Sequence, residues 1–128
     1  GPKDIEKRSV VLVRRDTREK RPASMDGLPA AVAALLDDIQ RALFERAVAF
    51  REEHTSRTTS YEEFSQIMEG RPGFVIAPWC GTRECEAAIK ADTQATIRNL
   101  PFEARPSAPA CVRCGAPATT DAHFAKAY

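Results

Sequence analysis

Apolar residues between positions 28 and 53 recur mostly at three- and four-residue spacing. They are Leu28, Val32, Leu35, Leu36, Ile39, Leu43, Val48 and Phe50, with Asp37, Asp38, Arg41, Glu45 and Arg46 between them. This period predicts an amphipathic helix of about seven turns with an apolar stripe that needs a partner. Asp26 is the expected N-cap, and Pro29 is tolerated in the first turn. Ahead of it, Val10-Val11-Leu12-Val13 is a β-branched run that predicts a buried strand. Residues 16–29 are rich in charge, Pro and Gly and read as a linker, so that strand is expected to pair with something distant.

Downstream the pattern changes repeatedly. His54 to Ser60 is polar and is expected to end the long helix. Ser60 followed by Glu63 is a capping-box pattern that predicts a shorter helix over Tyr61–Glu69. Gly70-Arg71-Pro72-Gly73 breaks it, and Phe74 to Trp79 then reads as a buried strand with Cys80 at its end. Thr82 can cap a helix running to about Ala91. Ala95 to Leu100 alternates like a strand and stops at Pro101. Residues 105–110 form a Pro-rich loop, and Ala122 to Tyr128 is a candidate third strand. The fold class is α+β: one long helix and shorter ones packed on a small β-sheet.

Composition narrows the function classes. A chain of 128 residues suits one ordinary domain, or a small domain with an arm. Hydrophobic residues at 43% and charged residues at 29% exclude a disordered chain. No apolar run approaches the roughly 20 residues of a membrane span. The polar opening GPKDIEKRSV shows no signal peptide, so an oxidising compartment is not expected. The net charge of +1 offers no bulk attraction to nucleic acid or membrane. Charge is uneven, however: residues 1–25 carry eight Lys/Arg against four Asp/Glu, whereas residues 26–70 carry four against nine. Arg14, Arg15, Arg18, Lys20 and Arg21 form the one segment basic enough to suggest phosphate contacts, although a solvated face is the simpler reading.

The four cysteines carry the most specific chemistry. Cys80 and Cys85 form one close pair, Cys111 and Cys114 another, and twenty-five residues separate the pairs. Two such pairs joined by a foldable segment suit a tetrahedral zinc ion held by four thiolates. Gly115 can take the left-handed conformation of a metal knuckle. Thr82 as N-cap puts Cys85 at the third helical position, where the helix amino end favours a thiolate. Arg83 and Arg113 could offset part of the excess negative charge. A site filled by four cysteines leaves no open position, so the metal is expected to be structural rather than catalytic. The alternatives are two disulfides, four free thiols or a thiol redox switch. Neither His54 nor His123 is needed as a ligand. Trp79 and Phe74 are expected to be buried. A Gly-rich phosphate loop and a Ser-His-Asp arrangement are both missing, and no catalytic residue is assigned.

Four segments together resemble the carboxy-terminal part of the prolyl-tRNA synthetase family, archaeal and eukaryotic-like type. They are GPKDIEKRSVVLVRRDTREK, YEEFSQIMEGRPGFVIAPWCGTRECEAAIKADTQATIRNLPF, CVRCGAPA and HFAKAY, in the family's order and over nearly the whole chain. The resemblance implies that residues 1–22 close the anticodon-binding domain and that residues 23–128 form a zinc-binding domain with Cys80, Cys85, Cys111 and Cys114 as ligands. The parent would be a cytoplasmic class II synthetase, homodimeric at full length, that activates L-proline with ATP and Mg²⁺ and charges tRNA(Pro). The catalytic domain with its ATP, proline and Mg²⁺ sites lies outside this sequence, so the chain alone is expected to be inactive. By the same resemblance the Tyr128 carboxylate faces the catalytic domain, and Arg14 and Arg15 are candidate tRNA contacts. A stand-alone zinc-knuckle module that binds RNA is the competing reading.

Overall fold

A computed structural model describes every residue except Arg71, Pro72, Ala104, Ala127 and Tyr128. The chain divides into two compact units, residues 1–50 and 51–128.

The first unit opens with a short helix, α1 (Pro2–Glu6), that the sequence pattern did not suggest. Strand β1 (Ser9–Val13) pairs antiparallel with β2 (Lys20–Ser24), with Val11 opposite Pro22 and Val13 opposite Lys20. The partner of the first strand is therefore local, and the expectation of a distant partner is corrected. The hairpin escaped the pattern because β2 is Lys-Arg-Pro-Ala-Ser, almost wholly exposed and without apolar alternation. Its connection is closed by the Arg14 amide donating to the Glu19 carbonyl at 2.8 Å, with Arg18 in the left-handed region at φ 66°.

Helix α2 (Leu28–Glu53) has the expected span. The residue before its first turn is Gly27, whose carbonyl accepts from the Ala31 amide, while the Asp26 carboxylate accepts from Arg8 instead of capping the helix. Of its apolar positions Leu35 alone is fully buried; Leu36, Leu43 and Phe44 are 60%, 46% and 65% exposed.

The second unit holds the larger core. The stretch read as a polar helix end contains strand β3 (Thr55–Arg57), which lies parallel to β4 (Phe74–Trp79). Helix α3 (Tyr61–Gly70) makes the crossover that a parallel pair requires. The Ser60 hydroxyl accepts from the Glu63 amide at 3.4 Å, as the capping pattern predicts, but the Glu63 carboxylate turns to the Thr58 hydroxyl. Helix α4 (Arg83–Thr93) leads through Gln94, left-handed at φ 63°, into β5 (Ala95–Asn99). The last strand, β6 (Thr120–Lys126), enters between β4 and β5 and pairs antiparallel with both, giving the order β3-β4-β6-β5.

One face of this sheet presents Val75, Ala77 and Trp79 of β4, and Ala122 and Phe124 of β6, to α3 and α4. Phe64 meets Phe124 edge-on at 5.2 Å between ring centroids, and both are fully buried with Ile89 and Val75. Burying each such side chain stabilises the fold by about 1.5–3 kcal/mol. Cys80, Cys85 and Cys111 belong to the same cluster. Phe74, expected to be buried, is 39% exposed because strand alternation turns it to the opposite face.

Candidate metal centre

The four cysteine sulfurs converge. Cys80 stands just past the end of β4 and Cys85 in the first turn of α4. Cys111 and Cys114 lie on a tight loop spanned by an isolated bridge between Ala110 and Pro117. All four Sγ atoms lie within 4.8 Å of one another. Cys85 to Cys111 is 3.6 Å and Cys80 to Cys114 is 3.7 Å. Four thiolates at about 2.3 Å from a central ion define a tetrahedron with edges of about 3.8 Å, so the sulfurs outline the shell of a zinc-sized cation. The same distances are far beyond the ~2.05 Å of a disulfide, and all four cysteines are free, which removes the two-disulfide alternative.

Local structure explains the convergence. The Thr82 hydroxyl accepts from the Cys85 amide at 3.4 Å and lies 3.3 Å from the Cys80 sulfur. One side chain thus caps α4 and joins both cysteines of the first pair. Gly81 and Gly115 hold φ at 86° and 71°, which turns the two loops back on themselves. The Val112 amide donates to the Pro78 carbonyl at 2.9 Å, and the Thr119 amide to the Trp79 carbonyl at 2.8 Å, docking the second loop against the end of β4. Buried Asp121 accepts from both the amide and the hydroxyl of Ser107 at 2.9 Å, which ties down the Pro-rich approach.

Electrostatics favour a cation here. Burial pushes the Cys80 thiol up, but hydrogen bonds from the Thr82 side chain and backbone and from Cys114 outweigh it and bring it down to about 7. Burial and the neighbouring sulfurs, Cys111 first, push Cys85 well above the thiol range. Crowded sulfurs cannot all ionise without a counter-charge, which a divalent ion at their centre would supply. Cys80, Cys85 and Cys111 are 9%, 6% and 4% exposed, so that ion would be shielded from solvent except beside Cys114.

Residues 61–128, which contain every cysteine, match the family model described as "Prolyl-tRNA synthetase, C-terminal". The chain belongs to this family. Relatives of this prolyl-tRNA synthetase region include Proline–tRNA ligase 2 of Bacillus thuringiensis (strain Al Hakam), 45% identical over 128 residues. Another is Proline–tRNA ligase of Ruminiclostridium cellulolyticum, at 46%. Each match covers all of this chain and 27% of the relative, so the chain spans about a quarter of the curated relatives' length. Among solved structures it is similar to prolyl-tRNA synthetase from Cryptosporidium parvum, complexed with halofuginone and AMPPNP, at 29% identity and a TM-score of 0.86. That match covers the whole chain and 27% of the solved one.

The other expected site residues of this prolyl-tRNA synthetase region are dispersed. Arg14 makes a two-pronged ion pair with Asp16 at 2.8 and 3.1 Å. Its side chain is 15% exposed, while Arg15 is exposed. The hydrogen bond to Arg14 holds the Asp16 carboxyl below its usual range. Tyr128 lies outside the described residues. Arg113 does not face the sulfurs alone: its Nε donates to Asp92 at 2.8 Å, and the guanidinium stands 5.1 Å from the Tyr61 ring centroid. Trp79 is buried as expected, at 8% exposure, though its indole N–H has no acceptor among the described residues. Sequence reasoning missed Asp92, Tyr61 and Asp121 as supports of the site. Their partners are 14 to 31 positions away, and no local pattern links them.

Proposed function

We propose that this chain is the carboxy-terminal part of a proline–tRNA ligase, in which Cys80, Cys85, Cys111 and Cys114 hold a structural zinc ion. The full-length enzyme would activate L-proline with ATP and Mg²⁺ and transfer the prolyl group to tRNA(Pro), acting as a cytoplasmic homodimer. Residues 1–22 would be the end of its anticodon-binding domain and a linker, and residues 23–128 would form the metal domain. Among the described residues no helix is long and apolar enough to cross a membrane.

The observation that carries the reading is the four-sulfur shell within a chain whose relatives, over their whole length, are proline–tRNA ligases. A further support is that residues 1–50 bury one large apolar side chain, Leu35, as expected of a piece whose partner surface is encoded elsewhere. The zinc would fasten the end of β4, the start of α4 and the 111–114 loop in a unit with a small core, and it would take no part in chemistry.

Metal analysis of freshly purified protein should find about one zinc per chain. The full-length parent should exchange pyrophosphate into ATP only with proline present and should charge tRNA(Pro), whereas residues 1–128 alone should do neither. Protein without stoichiometric metal would overturn the zinc assignment. A parent indifferent to proline would overturn the enzyme assignment.

A further inference from the structure

The face of the second sheet turned away from α3 and α4 carries a groove of about 670 Å³, within the range that accommodates a nucleotide-sized ligand. A single row of cross-strand partners crosses it: Arg57 lies opposite Ile76, Ile76 opposite His123, and His123 opposite Asn99. Partners in such a row point their side chains to the same face. Ile76, 5% exposed, forms an apolar floor. Arg51 from the last turn of α2 and Arg98 from the bulge in β5 also line the groove, and Phe74 stands at its edge, 39% exposed. Glu52 is the one carboxylate among the lining residues.

Three arginines from three different elements therefore line one groove. None of them makes an ion pair among the described residues, unlike Arg8, Arg14, Arg41 and Arg113. Three arginines against the single carboxylate of Glu52 leave the groove net positive, which favours an anionic ligand. The planar fork of arginine matches phosphate oxygens. A half-exposed aromatic ring beside such cations is the combination by which sheets hold single-stranded RNA. A purely acidic peptide would leave Phe74 and the apolar floor without a use.

We propose that this groove binds the phosphodiester backbone of a single-stranded RNA segment, with Arg51, Arg57 and Arg98 on phosphates and Phe74 stacked on a base. The site is distinct from the cysteine loops and from the basic hairpin Arg14–Arg21, and it does not depend on the identity of the parent enzyme.

The test uses the zinc-loaded 128-residue chain and a fluorescein-labelled ten-nucleotide single-stranded RNA, followed by anisotropy over a salt series. The imidazole protons of His123, observed by NMR, locate the ligand. Arg57→Gln/Arg98→Gln should weaken binding tenfold or more and flatten the dependence of log K on log salt by about 1.4. Phe74→Leu should weaken it about fivefold or more. Inorganic phosphate should move the His123 protons only weakly. The proposal fails if penta-glutamate binds as tightly as the RNA, if no RNA binding is found, or if the groove substitutions leave affinity unchanged. It fails equally if binding is lost only in Arg15→Gln/Arg21→Gln, which would assign the RNA to the hairpin.

Discussion

Arg113 and Asp92 join the Cys111–Cys114 loop to helix α4 through one ion pair. The Arg113 Nε donates to Asp92 Oδ2 at 2.8 Å, and the Tyr61 hydroxyl donates to the same oxygen at 2.6 Å while its ring lies beneath the guanidinium. Three elements, α3, α4 and the cysteine loop, thus meet at one carboxylate. Both partners of the pair are more than a third exposed, so solvent screens the ion pair, and the contact with the Tyr61 ring adds to it. Arg113→Ala should therefore lower the urea midpoint of the protein modestly but measurably. Arg113→Lys should recover part of that, since a lysine cannot reproduce the planar contact. An unchanged midpoint in Arg113→Ala would show that the carboxylate bridge does not hold the loop.

Tyr61 provides a pH signature of the same cluster. Burial, then the hydrogen bond to Asp92, pushes its phenol up to about 12 from an ordinary value of 10. The phenol is neutral in both states below pH 10. Between about 10 and 12 the unfolded chain loses the proton and the folded chain keeps it, so stability should fall across that window as pH rises. The fall should be smaller in Tyr61→Phe, which has no phenol at this position. Equal slopes for the two proteins between pH 10 and 12 would contradict it.

Thr82 serves both cysteines of the first pair, so its loss should be felt twice. Thr82→Ala should cost about 1 kcal/mol through the helix cap and lower metal affinity roughly tenfold or more, measured by chelator competition. Thr82→Ser keeps the hydroxyl and should restore most of both. Equal affinities for Ala and Ser would mean that the hydroxyl does not orient Cys80.

Gly81 and Gly115 are both left-handed, but their surroundings differ. A Cβ on Gly81 would lie 3.1 Å from the Thr119 hydroxyl, whereas one on Gly115 would meet nothing within 4 Å. Gly115→Ala should cost about 1 kcal/mol from backbone conformation alone, and Gly115→Asn less. Gly81→Ala should cost more than Gly115→Ala, because Thr119 must also yield. Thermal melts of the two variants decide the order, and a reversed order would refute it.

Metal removal should act on one unit selectively. Stripping the cation should expose β4, β5 and β6 to amide exchange while α2 keeps part of its helicity by circular dichroism. Native thiol titration should be slow and should release metal as the cysteines react. Rapid reaction of all four without metal release would favour a redox role instead.

Legibility in the sequence followed how local the causes are. Helix α4 could be read because Thr82, its cap and its stripe sit within one stretch. The same holds for β4, whose apolar run is continuous because β3 and β6 flank it and it sits in the interior of the sheet. β3 was hidden because Thr-Ser-Arg has no apolar residue and owes its strand form to Phe74, whose amide donates to the His54 carbonyl at 2.8 Å. β2 was hidden for the same reason, since its strand form comes from pairing with β1 rather than from its own side chains. Phe74 was misjudged because a buried run does not say which alternate residues face a covered side. The cysteine cluster was legible from spacing. Its buttress at Asp92 was not, because that contact exists only once the sheet has formed.

The position of β6 in the sheet has a consequence for synthesis on the ribosome. Arriving after every other strand of its unit, it must slot between two already translated neighbours, β4 and β5. Until Thr120–Lys126 clears the exit tunnel, β4 lacks one of its two neighbours and β5 has no partner at all. The second pair of thiols emerges just before that strand, so a metal ion, if captured there, would tie the end of β4 and the start of α4 to the 111–114 loop before the last segment enters.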